Sequence, residues 1–228
     1  INVGVVGWGF MGKTHTYGYK TLPFFYENLP FKINLVGICT RRQEMAEQAK
    51  EQFGFEFATT DFQDLVTNEK IDVIDICTPN IYHKDMVLAA IKAGKHVYCE
   101  KPLTTSHQDA LDISESLKEA NVITQMVHQS RFFPATMRAK QLIDEGRLGR
   151  ILSFRTAYLH SGSVDAHKPI GWKLDQRICG GGVLYDLGSH LLDLLYHLIG
   201  EFDSLVATTN RIYDSRPDKQ GQAVTELG

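Results

Sequence analysis

Several things this chain lacks restrict what it can be. None of its apolar runs reaches the roughly 20 residues that a membrane-spanning helix needs. It has no basic surplus: 24 Lys and Arg against 27 Asp and Glu leave a formal net charge of -3, so no positive field gathers nucleic acid. Its four cysteines (Cys39, Cys77, Cys99 and Cys179) show no CxxC spacing, which argues against a dithiol or zinc-knuckle pattern. Three of them close apolar strand-like runs, where a thiol serves as a small core residue. Low-complexity tracts and internal repeats are absent. Residues 1–7 lead straight into a glycine motif and not into a signal peptide. The expectation is a reduced, cytoplasmic protein with no membrane or nucleic-acid partner.

What is present is a repeated alternation of apolar strand-like runs with helical periodicity. NVGVVG at 2–7 predicts a strand buried on both faces, and 10–22 a helix. Pro23 and Pro30 then predict a loop or insertion. Further strands are expected at 32–40, 55–58, 71–77, 95–99 and 122–127. Helices are expected at 43–53, at 62–68 with Asp61 as cap, at 81–93 and at 105–120. This order predicts a doubly wound parallel sheet over residues 1–127, with ligands at the carboxyl ends of its strands. From about residue 128 the pattern changes. Strand-like stretches at 150–160 and 202–213, with helices at 135–145 and 183–198, predict a second α/β domain over 128–228 whose sheet is incomplete.

Three short motifs carry the chemistry. Gly7-Trp8-Gly9-Phe10-Met11-Gly12 has GxGxxG spacing between a strand and a helix, where a dinucleotide's pyrophosphate is held. The second strand ends in Thr40-Arg41-Arg42 without the carboxylate that would bind both ribose hydroxyls of NAD. Two guanidinium groups suit a 2'-phosphate and favour NADP over NAD. Thr78-Pro79-Asn80, followed by His83, follows the fourth strand of the sheet and can border the nicotinamide ribose; it is equally compatible with an ordinary Pro-Asn turn.

Glu100-Lys101-Pro102 follows the strand at 95–99 and offers an ammonium to a substrate oxygen, or else a surface ion pair. Asp186 and His190, four apart on one helix, share a face suited to proton transfer near neutral pH. Without the other motifs a core histidine satisfied by a helical carboxylate is the preferred reading. A metal site on His190, Asp193 and His197 is not expected, because the outer pair lies about 10 Å apart along the axis. His128, Tyr158, His160, Trp172 and Lys173 are candidate substrate contacts.

In order and spacing these pieces resemble the Gfo/Idh/MocA family, named for glucose-fructose oxidoreductase, inositol dehydrogenase and a rhizopine-catabolism protein. The resemblance runs through GWGFMG at 7–12, CTPNIYH at 77–83, AGKHVYCEKPL at 93–103, SRFFPA at 130–135, LIDEGRLGRI at 142–151 and GGGVLYDLGSHLLDLLYHLIG at 180–200. It implies a Rossmann domain followed by an α/β domain with an open, mostly antiparallel sheet. Substrate would lie on one side of that sheet and often a subunit contact on the other, as in a homo-oligomer.

The resemblance also implies Lys101, Asp186 and His190 as the catalytic set, with Glu100 and Lys101 near the nicotinamide. It implies hydride transfer between NAD or NADP and a carbinol of a sugar, cyclitol or related polyol. Gln129, in the cofactor set, stands where asparagine is frequent, and Lys173 where arginine often follows the tryptophan. Family members are commonly longer. A non-catalytic nucleotide-binding sensor on the same fold is the alternative, though it has no need of all three catalytic side chains.

Overall fold

The runs rich in valine, leucine and isoleucine at 2–6, 34–39 and 73–76 become the buried central strands of a six-stranded parallel sheet, and the helices between successive strands return the chain to the same edge each time. The computed structural model describes residues 1–228. The strands are β1 (Asn2–Val6), β2 (Asn34–Cys39), β3 (Phe57–Thr59), β4 (Val73–Ile76), β5 (His96–Cys99) and β6 (Thr124–Met126), in the order β3-β2-β1-β4-β5-β6. This is the doubly wound dinucleotide-binding arrangement, with its topological switch between β1 and β4. Its helices are α1 (Phe10–Phe25), α2 (Gln43–Phe53), α3 (Gln63–Val66), α4 (His83–Lys92) and α5 (His107–Leu117).

Alternation along the strands sends side chains to two separate cores. Val3, Val5, Leu35 and Ile38 pack with Trp8, Ala49 and Phe55 on one face. On the other, Val6, Val36, Ile74, Ile76 and Val97 pack with Leu65, Val87, Ile91 and Ile113. Helix α3 is shorter than the expected 62–68, and Asp61 Oδ1 accepts from Gln63 N–H at 2.9 Å at its start.

The predicted loop from Pro23 needs correction: α1 runs through Pro23 to Phe25. A proline in the last turn removes a single amide bond, and Tyr26 N–H closes the helix on Leu22 O at 3.1 Å. The exposed Phe24, Phe25 and Tyr26 follow at the helix end.

The chain forms two compact units, Ile1–Val127 and His128–Gly228. The second holds α6 (Pro134–Asp144), α7 (Gln176–Cys179) and α8 (Ser189–Ile199), with a π-helical stretch, Leu184–Gly188, leading into α8. Its antiparallel ladder is small: β7 (Arg216–Pro217) pairs with β8 (Ala223–Val224), and Asp175 bridges Leu227. The strands predicted at 150–160 and 202–213 do not form. Both stretches have strand composition, but a strand exists only where its amides meet a neighbour. Leu159 and Val206 are instead 91% and 95% exposed.

Candidate functional site

The glycine motif forms a cradle at the start of α1. Gly7 sits at φ +96°, and a Cβ there would lie 2.5 Å from Cys77 O. A Cβ on Gly12 would lie 2.0 Å from Gly7 O, so helix and turn touch backbone to backbone. Gly9 differs: a Cβ there meets nothing within 4 Å, leaving open space in front of the helix N-terminus. No side chain caps that terminus. Trp8 turns inward, edge-on to Phe53 and Phe55 at 5.3 and 5.9 Å, while Phe10 is exposed and Met11 half-buried. Open space, unused helical N–H groups and a positive dipole end fit a pyrophosphate.

At the end of β2, Thr40 is committed locally: its hydroxyl donates to Arg42 O at 2.7 Å and accepts from Arg42 N–H at 3.2 Å. The Arg42 guanidinium lies against Met45 Sδ, and Arg41 is exposed. Beyond β4, Asn80 is buried in a 3-10 turn, Asn80–Tyr82. His83 does not face solvent. It is 0% exposed, and its Nδ1 and Nε2 each lie 2.8 Å from a backbone carbonyl, Pro102 O and Thr78 O. It therefore acts as a tie between the loops after β4 and β5. Lys101, half-buried, precedes a cis peptide to Pro102.

Beneath these loops lies a polar cluster absent from the sequence expectations. Asp75, 0% exposed in the middle of β4, needs a partner, because a buried carboxylate is stable only when paired and hydrogen-bonded. His15 and Tyr19, four apart on α1, supply it. His15 Nδ1 lies 3.0 Å from both Asp75 oxygens, and Tyr19 O–H donates to Asp75 Oδ2 at 2.8 Å. His15 Nε2 meets Glu100 Oε1 at 3.2 Å, and Lys101 N–H donates to Glu100 Oε2 at 3.1 Å. The Tyr98 ring covers the imidazole at 5.3 Å. The Cys77 sulfur is 3.3 Å from His15 Nδ1, yet burial, with Asp75 and Glu100 nearby, raises its pKa well above normal. The available signal was an aspartate inside the apolar run IDVIDIC, which requires a cation elsewhere in the chain.

Burial by itself would strip the proton from His15, but its bonds to Asp75 and Glu100 outweigh that and raise its pKa from 6.5 to about 10. A raised folded-state pKa stabilises fully below the unfolded value and loses that contribution as pH climbs through the folded one. Melting temperature should therefore fall as pH rises from about 6.5 to 10. His15→Gln should flatten that slope in thermal unfolding at constant ionic strength; an unchanged slope would contradict the charge assignment.

In the second unit Asp186 lies on the π-helical stretch, and its carboxylate is bound by Lys173 Nζ at 2.9 and 3.0 Å. His190 is buried in the first turn of α8, its ring edge-on to His128 at 5.9 Å and tilted to Tyr158 at 6.5 Å. The Asp193 carboxylate is taken by Arg131, whose Nε donates to Oδ2 at 2.8 Å, with His128 Nε2 3.7 Å from Oδ1. Gln129 and His160 are exposed, and Lys173 also stacks on Trp172 at 5.9 Å.

The family model described as an oxidoreductase family with an NAD-binding Rossmann fold, GFO_IDH_MocA, matches residues 1–128, and the GFO/IDH/MocA C-terminal domain matches 136–227. Levoglucosan dehydrogenase of Pseudarthrobacter phenanthrenivorans is 37% identical over 98% of this chain and 57% of its own length. 2,7-Anhydro-N-acetylneuraminate hydratase of Escherichia coli is 33% identical over 90% of this chain and 51% of its own length. Among solved structures, a levoglucosan dehydrogenase in complex with NADH and L-sorbose superposes with a TM-score of 0.95 at 35% identity, covering 99% of this chain and 61% of that one. The chain thus spans between half and two thirds of the length of these relatives.

Proposed function

Because this chain belongs to the Gfo/Idh/MocA oxidoreductase family, we propose that it takes part in hydride transfer between a nicotinamide dinucleotide and a carbinol or carbonyl of a sugar, cyclitol or related polyol. The observation that carries this reading is the glycine cradle beside the β1/β4 switch, open at Gly9 and closed backbone to backbone at Gly12. A nicotinamide dinucleotide with its pyrophosphate there would supply the hydride donor or acceptor.

The chain's own residues supply the rest. The Lys101 ammonium donates to the reacting oxygen and stabilises alkoxide character. The His190 imidazole takes the hydroxyl proton in the oxidative direction, and Asp186, charge-paired with Lys173, adjusts the local field. Gly7, Gly9, Phe10, Met11 and Gly12 border the pyrophosphate, and Thr78, Pro79, Asn80, Glu100 and Gln129 belong to the nicotinamide end. His83 contributes by holding two of those loops. The chain would work within a homo-oligomer.

Relatives named for levoglucosan, 2,7-anhydro-N-acetylneuraminate and 1,5-anhydro-D-fructose make anhydro sugars the first substrates to try, with myo-inositol as the cyclitol probe. Absorbance at 340 nm over that panel tests the reading. Turnover of any member supports it; cofactor binding without turnover of any sugar or polyol would favour the sensor alternative. For the cofactor, exposed Arg41 and Arg42 at the end of β2 favour NADP. Arg41→Ala should raise KM for NADP by about tenfold, the scale of one charge-assisted bond, and leave KM for NAD within about twofold. A parent protein with a clear NAD preference would defeat this assignment.

A further inference from the structure

One buried polar cluster, around His15, stands outside the proposed machinery. His15 is a side chain on α1, 8% exposed, with a carboxylate on either side. One carboxylate, Asp75, belongs to the middle of β4 and is held by Tyr19 as well. The other, Glu100, follows β5, and its two oxygens do different things: Oε1 faces His15, and Oε2 accepts the backbone N–H of Lys101. A glutamate side chain has three rotatable bonds, so one weak amide bond does not hold it in place. Clamping its other oxygen does.

We propose that His15 is a positioning residue: through Glu100 it fixes the backbone of Lys101 and so aims the lysine that the proposed function places on the reacting oxygen. This rests on that functional reading for its consequence in catalysis, though not for the structural linkage itself. The charge arrangement supports it. Two carboxylates so close together repel unless a cation lies between them, and the bonds to Asp75 and Glu100 keep the imidazole protonated through neutral pH. The other titratable groups against the imidazole are Tyr98, pushed up to about 12 by burial and the two carboxylates, and the Cys77 thiol, raised chiefly by burial. Tyr19, raised chiefly by burial, sits against the Asp75 side. All three stay neutral where His15 is charged, so the clamp is one cation between two anions.

The test is hydrogen exchange at the Lys101 amide in the parent, His15→Gln and His15→Ala proteins, with the amides of Val97 and Cys99 as internal controls for β5. We expect the Lys101 amide to exchange about tenfold or more faster in both variants while the two control amides change less than about twofold. Unchanged Lys101 protection would overturn the proposal. So would equal loss at all three amides, or failure of both variants to fold, since either shows that the imidazole is only part of the packing.

A kinetic arm reads the consequence: with whichever panel sugar or polyol and whichever of NADP and NAD the parent uses best, kcat should fall about tenfold or more in His15→Gln, with KM for that cofactor within about threefold. If the exchange result appears but KM for the cofactor moves and kcat does not, the positioning role fails. If the parent turns over no member of the sugar and polyol panel, the functional reading fails, and the exchange result decides the His15 linkage by itself.

Discussion

A Lys101→Ala protein is expected to bind NADH within about threefold of the parent and to turn over sugar or polyol at least about 100-fold more slowly. The split follows from where the lysine stands. Its backbone N–H is held by Glu100, a bond that alanine keeps, so the loop after β5 should survive the change. What disappears is the ammonium, the only part of Lys101 assigned to the reacting oxygen. Isothermal titration with NADH and steady-state absorbance at 340 nm give the two quantities separately. A variant that loses affinity and turnover together would make Lys101 a cofactor ligand; one that keeps both would remove it from the mechanism.

Combining Lys101→Ala with His190→Ala sharpens the result. Groups that act on one proton and one oxygen lose activity non-additively, so the double variant should be little slower than the worse single one. Independent, multiplicative losses would assign the two residues to separate steps.

The second large effect is expected in the glycine cradle, where two neighbouring glycines should fail in different ways. At Gly12 a methyl group would lie 2.0 Å from Gly7 O, and neither partner is a flexible side chain. Helix α1 and the turn must separate, so Gly12→Ala should cost about 2–4 kcal/mol of stability, in the range of severe overpacking, and lower NADH affinity at least about 100-fold. At Gly9 the same methyl meets no protein atom, and the backbone at φ -80° and ψ -161° is one that alanine adopts readily. Gly9→Ala should therefore keep its melting temperature within about 2 °C while NADH affinity falls about tenfold or more. Differential scanning calorimetry paired with NADH titration tells these outcomes apart. Full NADH affinity in Gly9→Ala would mean that the open space in front of α1 is not where the pyrophosphate lies.

The parallel sheet was legible because its signals are local: β-branched runs buried on both faces, helical periodicity between them, and glycine spacing tied to one strand-to-helix junction. Helix α2 begins and ends at the predicted residues, and the Asp61 side chain accepts the first amide of α3. Pro23 shows the weakness of a purely local rule. Proline breaks a helix in its interior, yet in a final turn it forfeits one amide bond and the helix continues. The stretches 150–160 and 202–213 show another: strand composition describes a side chain's preference, whereas a strand needs a neighbour's carbonyls and amides.

The sequence by itself therefore determined the doubly wound sheet, the glycine cradle and the family to which the chain belongs, since each rests on residue types at fixed spacing along one stretch. Only the tertiary structure decided what His15, His83 and Asp193 do. Asp75 is 60 residues from His15, and Glu100 is 85 residues from it. A buried charge chooses its partner by distance through space, and nothing in the linear order of residues encodes that distance until the helix has packed on the sheet.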